Sequence, residues 1–265
     1  MADQIACALG SPVPVPLARP GEMSSRTGGT PHFVHPPAAE TRPEVTAAFP
    51  PAVMAELVRD ARPVGMRRGT VLFNKGDPVQ TCWFMLKGVV KLTVSTAQGH
   101  ERILALQGRG VMVGALGLMD GQPHSTGAAS LTDCHAMAIS STSFAEVRAR
   151  HPEVEKVLVS ILAGKLRQAA DNAAWGGLLN ARQRIARSVI EFANMLGEPA
   201  GEGRTTIDRA ITHADIGGLA FVSREEVTRT LSAWKRAGIV GSAAGQALLV
   251  DKSALKAEAA DPPPG

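Results

Sequence analysis

Three charged side chains at helical spacing, Arg224, Glu225 and Arg229, are the residues of this 265-residue chain best suited to recognising another molecule. An arginine can donate two hydrogen bonds to O6 and N7 of guanine, and a glutamate can accept one from the amino group of cytosine. Thr228 lies on the same side of the predicted helix. A helix with these residues could read base edges in a DNA major groove. The alternative is that they form salt bridges on an exposed surface.

Two cap signals place this helix in a helix-turn-helix over residues 212–236. Thr212 and Ser223 are residue types that begin helices, because the side-chain oxygen can accept a hydrogen bond from a free backbone N–H group. They predict two short helices joined by a tight turn. The apolar residues that would anchor these helices recur at helical spacing, and they are Ile216, Leu219, Val227, Leu231 and Trp234.

Enzyme chemistry has little support in the sequence. The chain has no Walker motif, no G-x-S-x-G and no H-E-x-x-H. Gly108, Gly110 and Gly114 miss the dinucleotide fingerprint by one position, and they do not lie between a strand and a long helix. We therefore expect no catalytic residues.

Three cysteines, far apart, predict neither a disulfide framework nor a cysteine-rich metal cluster. They are Cys7, Cys82 and Cys134, and no C-x-x-C pair occurs. No metal site is expected, and the cysteines fit a reducing cytoplasm. No apolar run reaches the roughly 18 residues of a membrane span, and the N-terminal segment lacks the pattern of a signal peptide. The sequence thus predicts a soluble, cytoplasmic protein without a membrane partner.

The overall charge is weakly informative. Hydrophobic residues make up 45% of the chain, the net charge is +4, and the sequence pI is near 9.2. This balance permits a nucleic-acid partner without requiring one.

The elements that must position the charged residues fall into five predicted segments. Residues 1–44 are rich in proline and glycine and predict a disordered arm. Residues 45–151 begin with a short helix and continue as short apolar runs between glycine turns, which predicts an antiparallel barrel or sandwich. Residues 152–179 form one long helix, residues 180–252 a winged helix-turn-helix, and residues 253–265 a tail. The fold class is α+β.

The long helix has an apolar stripe that includes Leu158, Ile161, Leu162 and Leu166. One use of the stripe is packing against the β-domain, and another is pairing with a second copy of the helix in a two-fold dimer. We expect both. After this helix, Ala181 to Leu196 predicts a further helix, and two apolar runs near residues 239–250 predict a small hairpin, the wing.

This order of elements resembles the bacterial Crp/Fnr transcription regulators over residues 48–250. The most specific stretch is ITHADIGGLAFVSREEVTRTLSAWKRAGIV. A second is VGALGLMDGQPHST, at the place of the family's phosphate-binding cassette. The turn glycines of the β-roll, Gly76, Gly88 and Gly99, form a third. One departure is Phe221, at a turn position that the family often gives to glycine.

The resemblance implies how such a chain would bind DNA. The recognition helix of cyclic-AMP-receptor-type members opens S-R-E-x-V-x-R, which Ser223, Arg224, Glu225, Val227 and Arg229 match. It implies a homodimer that reads an inverted repeat of double-stranded DNA with a GTGA-like half-site, and RNA polymerase as a partner. Candidate backbone contacts, each of which could equally be solvated, are Thr212, Ser223, Arg182, Arg184, Arg187, Lys235 and Arg236.

The effector pocket departs from the family pattern. The glutamate that holds the ribose is replaced by Ala115, which follows Gly114, and the arginine that holds the phosphate is replaced by His124. The two base-contacting positions of the long helix are Ala169 and Ala170. Only Ser125 keeps its family residue. A buried phosphate needs a fixed cation or several N–H donors, so cyclic-nucleotide binding is expected to be weak or absent, and no cofactor is expected.

Other effectors stay open. A haem sensor would need a ligand such as His100, His124, His135 or Cys82, and a thiol switch would use Cys82 or Cys134. An iron–sulfur sensor is disfavoured, because only Cys7 lies near the N-terminus. The remaining alternatives are a regulator without an effector and a cyclic-nucleotide-binding module that acts on a partner protein.

Overall fold

The computed structural model describes residues 49–95, 101–201, 203–208, 210–243 and 248–260. The arm, His100 and the tip of the predicted wing lie outside these residues. The strands are β1 Arg62–Met66, β2 Val71–Phe73, β3 Thr81–Lys87, β4 Val90–Ser95, β5 Glu101–Gln107, β6 Met112–Val113, β7 Gly127–Ser130, β8 Cys134–Ser140, β9 Gly197–Pro199, β10 Arg204–Ile207, β11 Val240–Ser242 and β12 Leu248–Asp251. The helices are α1 Pro51–Arg59, α2 Leu116–Asp120, α3 Ser141–Arg150, α4 Glu153–Leu178, α5 Ala181–Leu196, α6 His213–Ala220, α7 Arg224–Arg236 and α8 Lys252–Ala259.

The first eight strands form two four-stranded sheets that enclose a common core. Their orders are β1-β8-β3-β6 and β2-β7-β4-β5, and every pairing is antiparallel. Met85 and Ala136 point into this core from the first sheet, and Val90 and Ala128 point into it from the second. The predicted β-roll is therefore confirmed. Strand β5 lies at the edge of the second sheet, where its outer side is free to contact other elements.

The long helix α4 has two different sides. Val154 and Leu158 are 1% and 0% exposed and share a core with α1, α3 and the first sheet. Val159 and Leu166, in contrast, are 62% and 73% exposed. Packing against the β-roll is thus confirmed for one side only. The other side leaves large apolar side chains in contact with solvent.

The corner between α3 and α4 is held by ionic contacts. The two ring nitrogens of His151 lie 3.1 Å from carboxylate oxygens of Glu56 and Glu153, and Arg150 also pairs with Glu56. The Glu56 carboxylate, followed by that of Glu153, raises the pKa of His151 by accepting hydrogen bonds. The start of the long helix is therefore tied to α1.

The C-terminal part is a winged helix-turn-helix. A capping box at Asn180 and Gln183 begins α5, and β11 and β12 form the predicted hairpin. The sequence predicts a tail over residues 253–265, whereas the structure has helix α8 over Lys252–Ala259. Its Leu255 and Ala259 are fully buried in the same core as α5, so the helix belongs to this domain.

The β-roll and the helix-turn-helix share one hydrophobic core. Val89, Ile103, Leu106 and Leu131 from the β-roll lie in the same buried cluster as the apolar residues of α5, α6 and α7. Strand β5 packs directly on α6, and a side chain at Gly218 of that helix would lie 3.3 Å from Ile103. A glycine at this position allows the close approach. Among the described residues, no helix is both long and apolar enough to cross a membrane.

Candidate nucleic-acid interface and effector pocket

Helix α7 presents the four predicted base-reading residues to solvent. Ser223 caps the helix by accepting a hydrogen bond from the Glu226 N–H at 3.2 Å, as predicted. The opposite side is buried, and Val227, Leu231 and Trp234 are 0%, 6% and 0% exposed. The exposed side carries Arg224, Glu225, Thr228 and Arg229, which we call the reading face. The cap and the buried side fix how this face is presented.

One salt bridge lies along the reading face. Arg229 is 76% exposed and pairs with Glu226, one turn earlier on the same helix. Exposed pairs at this spacing are worth about 0.3–0.5 kcal/mol. A base edge can therefore replace Glu226 as the partner of Arg229 at little cost. The partner is not Glu225, whose carboxylate stays on the exposed side.

The first helix of the motif meets the second through a residue in the left-handed region. Phe221 ends α6 with φ 56° and ψ 43°, and its N–H donates to the Gly217 carbonyl. A side chain in this conformation costs roughly 1–2 kcal/mol, which is the reason that glycine is common here. The Arg102 guanidinium lies 5.2 Å from the Phe221 ring centroid and offsets part of this cost. The turn keeps the geometry that a glycine would give.

A second contact between the two helices involves the reading face itself. His213 is the first residue of α6, and its Nδ1 lies 2.8 Å from the Thr228 hydroxyl oxygen. The same oxygen lies 2.9 Å from the Arg224 carbonyl oxygen. His213 is not among the site residues that the sequence predicts. A polar side chain directly after a predicted N-cap was the available signal.

The candidate backbone contacts fall into different environments. Thr212 and Ser223 use their hydroxyls as helix caps. Lys235 and Arg236 are exposed in the last turn of α7, and the Lys235 ammonium reaches Ser242 of the hairpin at 3.4 Å. These positions are open to a phosphate.

Three of the candidate arginines contact other groups of the protein, and Arg187 donates to the Ala259 carbonyl oxygen at 3.4 Å. Arg182 forms a two-pronged ion pair with Glu258 of α8 and lies 5.3 Å from the Trp234 ring centroid. Arg184 donates to the carbonyl oxygens of Ala220, Gly176 and Leu179. The Arg182 and Arg184 guanidinium groups hold α5 to its neighbours. Neither is free to move to a phosphate without breaking those contacts.

Asp215, which is not among the predicted site residues, joins the β-roll to α6. Asp215 completes the capping box with Thr212, and its side chain is 10% exposed. Its carboxylate lies 3.5 Å from the Arg68 guanidinium and 3.6 Å from the Lys91 ammonium. Lys91 also pairs with Glu101. The cap residue of the first recognition-motif helix therefore also connects the two domains.

Aromatic rings fill the space beside the phosphate-binding cassette. The His124 ring stacks on Phe73, with centroids 3.6 Å apart and an interplanar angle of 9°, and Phe73 stacks on Trp83 at 5.6 Å. All three rings surround Gly114, where an added Cβ would lie 3.3 Å from each. Burial lowers the pKa of His124, although the Asp77 charge opposes this. The ring is 7% exposed and favours its neutral form.

The remaining pocket positions offer no charge. Ala115 is buried, and Ser125, Ala169 and Ala170 are exposed. Since the ring of His124 favours its neutral form, none of the five positions that the resemblance assigns to the pocket supplies a fixed cation.

The candidate residues for redox or metal sensing are poorly placed for it. Burial raises the pKa of the Cys82 thiol to about 12, and burial likewise raises the pKa of Cys134. Both thiols are therefore protonated at neutral pH and shielded from reagents. His135 is exposed on β8. Within the described part of the chain, no three histidine, cysteine or acidic side chains cluster as metal ligands would. Cys7 and His100 lie outside it.

Two family models match the chain. The cyclic nucleotide-binding domain model covers residues 63–151, and the Crp-like helix-turn-helix domain model covers residues 183–258. The first spans the β-roll from β1 to the end of α3. The second spans α5 to α8, including the reading face.

Several curated proteins are similar over most of their length. The CRP-like cAMP-activated global transcriptional regulator of Mycobacterium tuberculosis is 26% identical over 77% of this chain and 91% of its own. The Cyclic AMP receptor protein of Thermus thermophilus is 29% identical over 65% of this chain and 76% of its own. The cAMP-activated global transcriptional regulator CRP of Salmonella typhimurium is 26% identical over 68% and 85%. These relatives are regulators rather than enzymes.

Solved structures share the fold. FixK2 from Bradyrhizobium japonicum aligns with a TM-score of 0.66 at 22% identity, over 76% of this chain and 98% of its own. The c-di-GMP responsive global regulator CLP of Xanthomonas campestris aligns with a TM-score of 0.64 at 20% identity, over 75% and 98%. The β-roll, long helix and helix-turn-helix therefore recur in the same arrangement in these proteins.

Proposed function

The chain belongs to the Crp/Fnr family of transcription regulators, and on this premise we propose that it binds an inverted-repeat DNA site as a homodimer through α7. The observation that carries the proposal is the reading face. Four side chains able to contact bases stand exposed on a helix whose cap and opposite side are both fixed. A helix presented in this way fits the major groove.

Each residue of the reading face has a distinct role in the proposal. Arg224 and Arg229 each donate two hydrogen bonds to a guanine, and Glu225 accepts from a cytosine amino group. Thr228 contacts the base pair between them. Lys235, Arg236 and the N–H groups that Thr212 and Ser223 leave at the helix starts contact phosphates, which fixes the register without specifying sequence.

The exposed side of α4 supplies the dimer contact. Val159, Leu162 and Leu166 recur at three- and four-residue steps and are 62%, 38% and 73% exposed. Large apolar side chains in such a row are stabilised by burial against a second copy of the same helix. A two-fold axis parallel to α4 would place the two α7 helices for an inverted repeat.

In the proposed function, the sensor domain of this chain does not bind cyclic AMP. The M. tuberculosis relative is named for cyclic AMP and the X. campestris regulator for c-di-GMP, so the fold accommodates different effectors. Here the stacked, neutral His124 takes the place of the cation that a buried phosphate needs. The protein acts in the cytoplasm, with RNA polymerase as its further partner, and without a cofactor.

A selection of bound DNA from a random pool, with and without cyclic AMP, tests this function. We expect an inverted repeat with GTGA-like half-sites, recovered equally under both conditions. Recovery of no repeat would refute DNA recognition by α7. Enrichment only with cyclic AMP, or micromolar cyclic AMP affinity by calorimetry, would refute the effector part alone.

Two variants, Arg229→Ala and Lys235→Ala, separate base contacts from phosphate contacts. Arg229→Ala should relax the preference at one guanine of each half-site by about 1–3 kcal/mol. Lys235→Ala is the matched control, and it should weaken all sequences alike while reducing the salt dependence of binding. Equal effects of the two variants on the sequence preference would contradict these roles.

A further inference from the structure

The Thr228 hydroxyl makes two hydrogen bonds within the protein. Its oxygen lies 2.9 Å from the carbonyl oxygen of Arg224, one turn earlier, and 2.8 Å from Nδ1 of His213 on the other helix. Thr228 is exposed, and His213 is half-buried. A residue of α6 thus contacts the reading face of α7 directly.

Counting protons fixes the direction of both bonds. The carbonyl oxygen of Arg224 can only accept, so it takes the single hydroxyl proton of Thr228. Both contacts are hydrogen bonds only if Nδ1 of His213 carries a proton and donates it to the hydroxyl oxygen. With both contacts made as hydrogen bonds, His213 donates from Nδ1 and Thr228 has no proton left to donate to DNA.

We propose that His213 is a positioning residue for base recognition, which acts by holding the side chain of Thr228 in one rotamer. This inference rests on the proposed function of the reading face. With its proton used and one lone pair occupied, Thr228 offers a base its methyl group and one acceptor. It discriminates against guanine, which presents only the acceptors N7 and O6 in the major groove, and its methyl group suits the C5-methyl group of thymine.

A role in helix stability does not explain the contact. The first turn of α6 is capped by Thr212 and Asp215, whose side chains each accept the N–H of the other residue. His213 takes no part in that capping box. Loss of its side chain should leave the helix intact and change only the freedom of Thr228.

A double-mutant cycle on sequence preference tests the proposal. The variants are His213→Ala, Thr228→Val and the two together, and each is used in the full chain for selection from a random pool. His213→Ala should lower discrimination at one base pair per half-site about fivefold, a factor that corresponds to the net free energy of one hydrogen bond. Thr228→Val keeps the side-chain shape but lacks the hydroxyl. In that background His213→Ala should have no further effect.

His213→Asn is the conservative control, because its side-chain amide can donate from nearly the position of Nδ1. It should restore most of the lost discrimination. Thermal unfolding of each variant should match that of the wild type. Additive effects in the cycle, or a uniform loss of affinity without a change in preference, would overturn the role of His213. A wild type that selects no motif would refute the proposed function and this role together, whereas a motif unchanged by His213→Ala refutes only this role.

Discussion

Asp215 carries two structural tasks, and its replacement should therefore cost more than the loss of a helix cap. The carboxylate accepts hydrogen bonds from the Thr212 N–H at 3.0 Å and from the Thr212 hydroxyl at 2.6 Å. It also pairs with Lys91 and Arg68 across the domain boundary. We expect Asp215→Ala to destabilise the protein by about 3 kcal/mol.

The magnitude follows from the separate contacts. The two hydrogen bonds from Thr212 share one acceptor oxygen of Asp215 and are together worth about 1.5 kcal/mol. The ion pair with Lys91, whose side chain is 18% exposed, adds about 1 kcal/mol. The pair with Arg68, which is 40% exposed, adds only about 0.5 kcal/mol, because solvent screens it. Thr212→Ala removes the cap alone and should cost about 1 kcal/mol.

Urea unfolding gives the free energy of unfolding of Asp215→Ala and of Thr212→Ala, and the two values should differ by about 2 kcal/mol. A cycle that combines Asp215→Ala with Lys91→Met isolates the ion pair, and its coupling energy should be about 0.5–1 kcal/mol. Lys91 keeps Glu101 as a partner in Asp215→Ala, and Asp215 keeps Arg68 in Lys91→Met, so neither single variant leaves the other member of the pair without a partner. A cost for Asp215→Ala no larger than that for Thr212→Ala, or a coupling energy of zero, would refute the reasoning.

Three further predictions concern other parts of the chain. The carboxylates of Glu56 and Glu153 accept hydrogen bonds from His151 and raise its folded-state pKa above 6.5, so its contribution to stability is complete below that pH and is lost as the pH rises through the folded-state pKa. The free energy of unfolding should therefore be lower at pH 8.5 than at pH 6, and His151→Gln should remove this difference. A difference that His151→Gln leaves unchanged would contradict the prediction. In a Cys7→Ser background, Cys82 and Cys134 should not react with a thiol reagent at pH 8 until the protein unfolds, because burial raises the pKa of both thiols. Fast labelling of the native protein would instead support a thiol switch. Leu166→Asp should convert the dimer to monomers, as measured by sedimentation velocity. Val71→Asp is the control, because this residue is 58% exposed on β2, and it should leave the dimer intact. A dimer that survives Leu166→Asp would place the contact elsewhere.

The parts of the fold that follow from local signals could be predicted from the sequence. Caps at Thr212 and Ser223 and the apolar spacing of Val227, Leu231 and Trp234 specify the helix-turn-helix, because each signal acts within one or two turns. Helix α5 was predicted with its observed bounds for the same reason. Strands between glycine turns predicted the β-roll but not the pairing of its strands.

The parts that depend on distant contacts could not be predicted. Helix α8 is short, and although Asp251 caps it, its stability depends on the burial of Leu255 and Ala259 in the core shared with α5. The contacts of Asp215 join residues more than a hundred positions apart, and no spacing in the sequence indicates them. The stacking of His124 on Phe73 also depends on the sheet, although the substitution of a charged residue by histidine was visible beforehand.

The shared core has a consequence for moving DNA recognition between proteins. Ile103 and Leu131 of the β-roll bury apolar residues of the helix-turn-helix, among them Ile216 and Ala220. A fragment cut at residue 180 would leave Val89, Ile103, Leu106 and Leu131 behind and expose to water the apolar residues that these four side chains cover. The reading face therefore cannot be moved to another protein simply by transferring the fragment that carries it. To graft its specificity onto another regulator, one would have to transplant the α7 side chains alone, or bring strand β5 and its supporting residues with them.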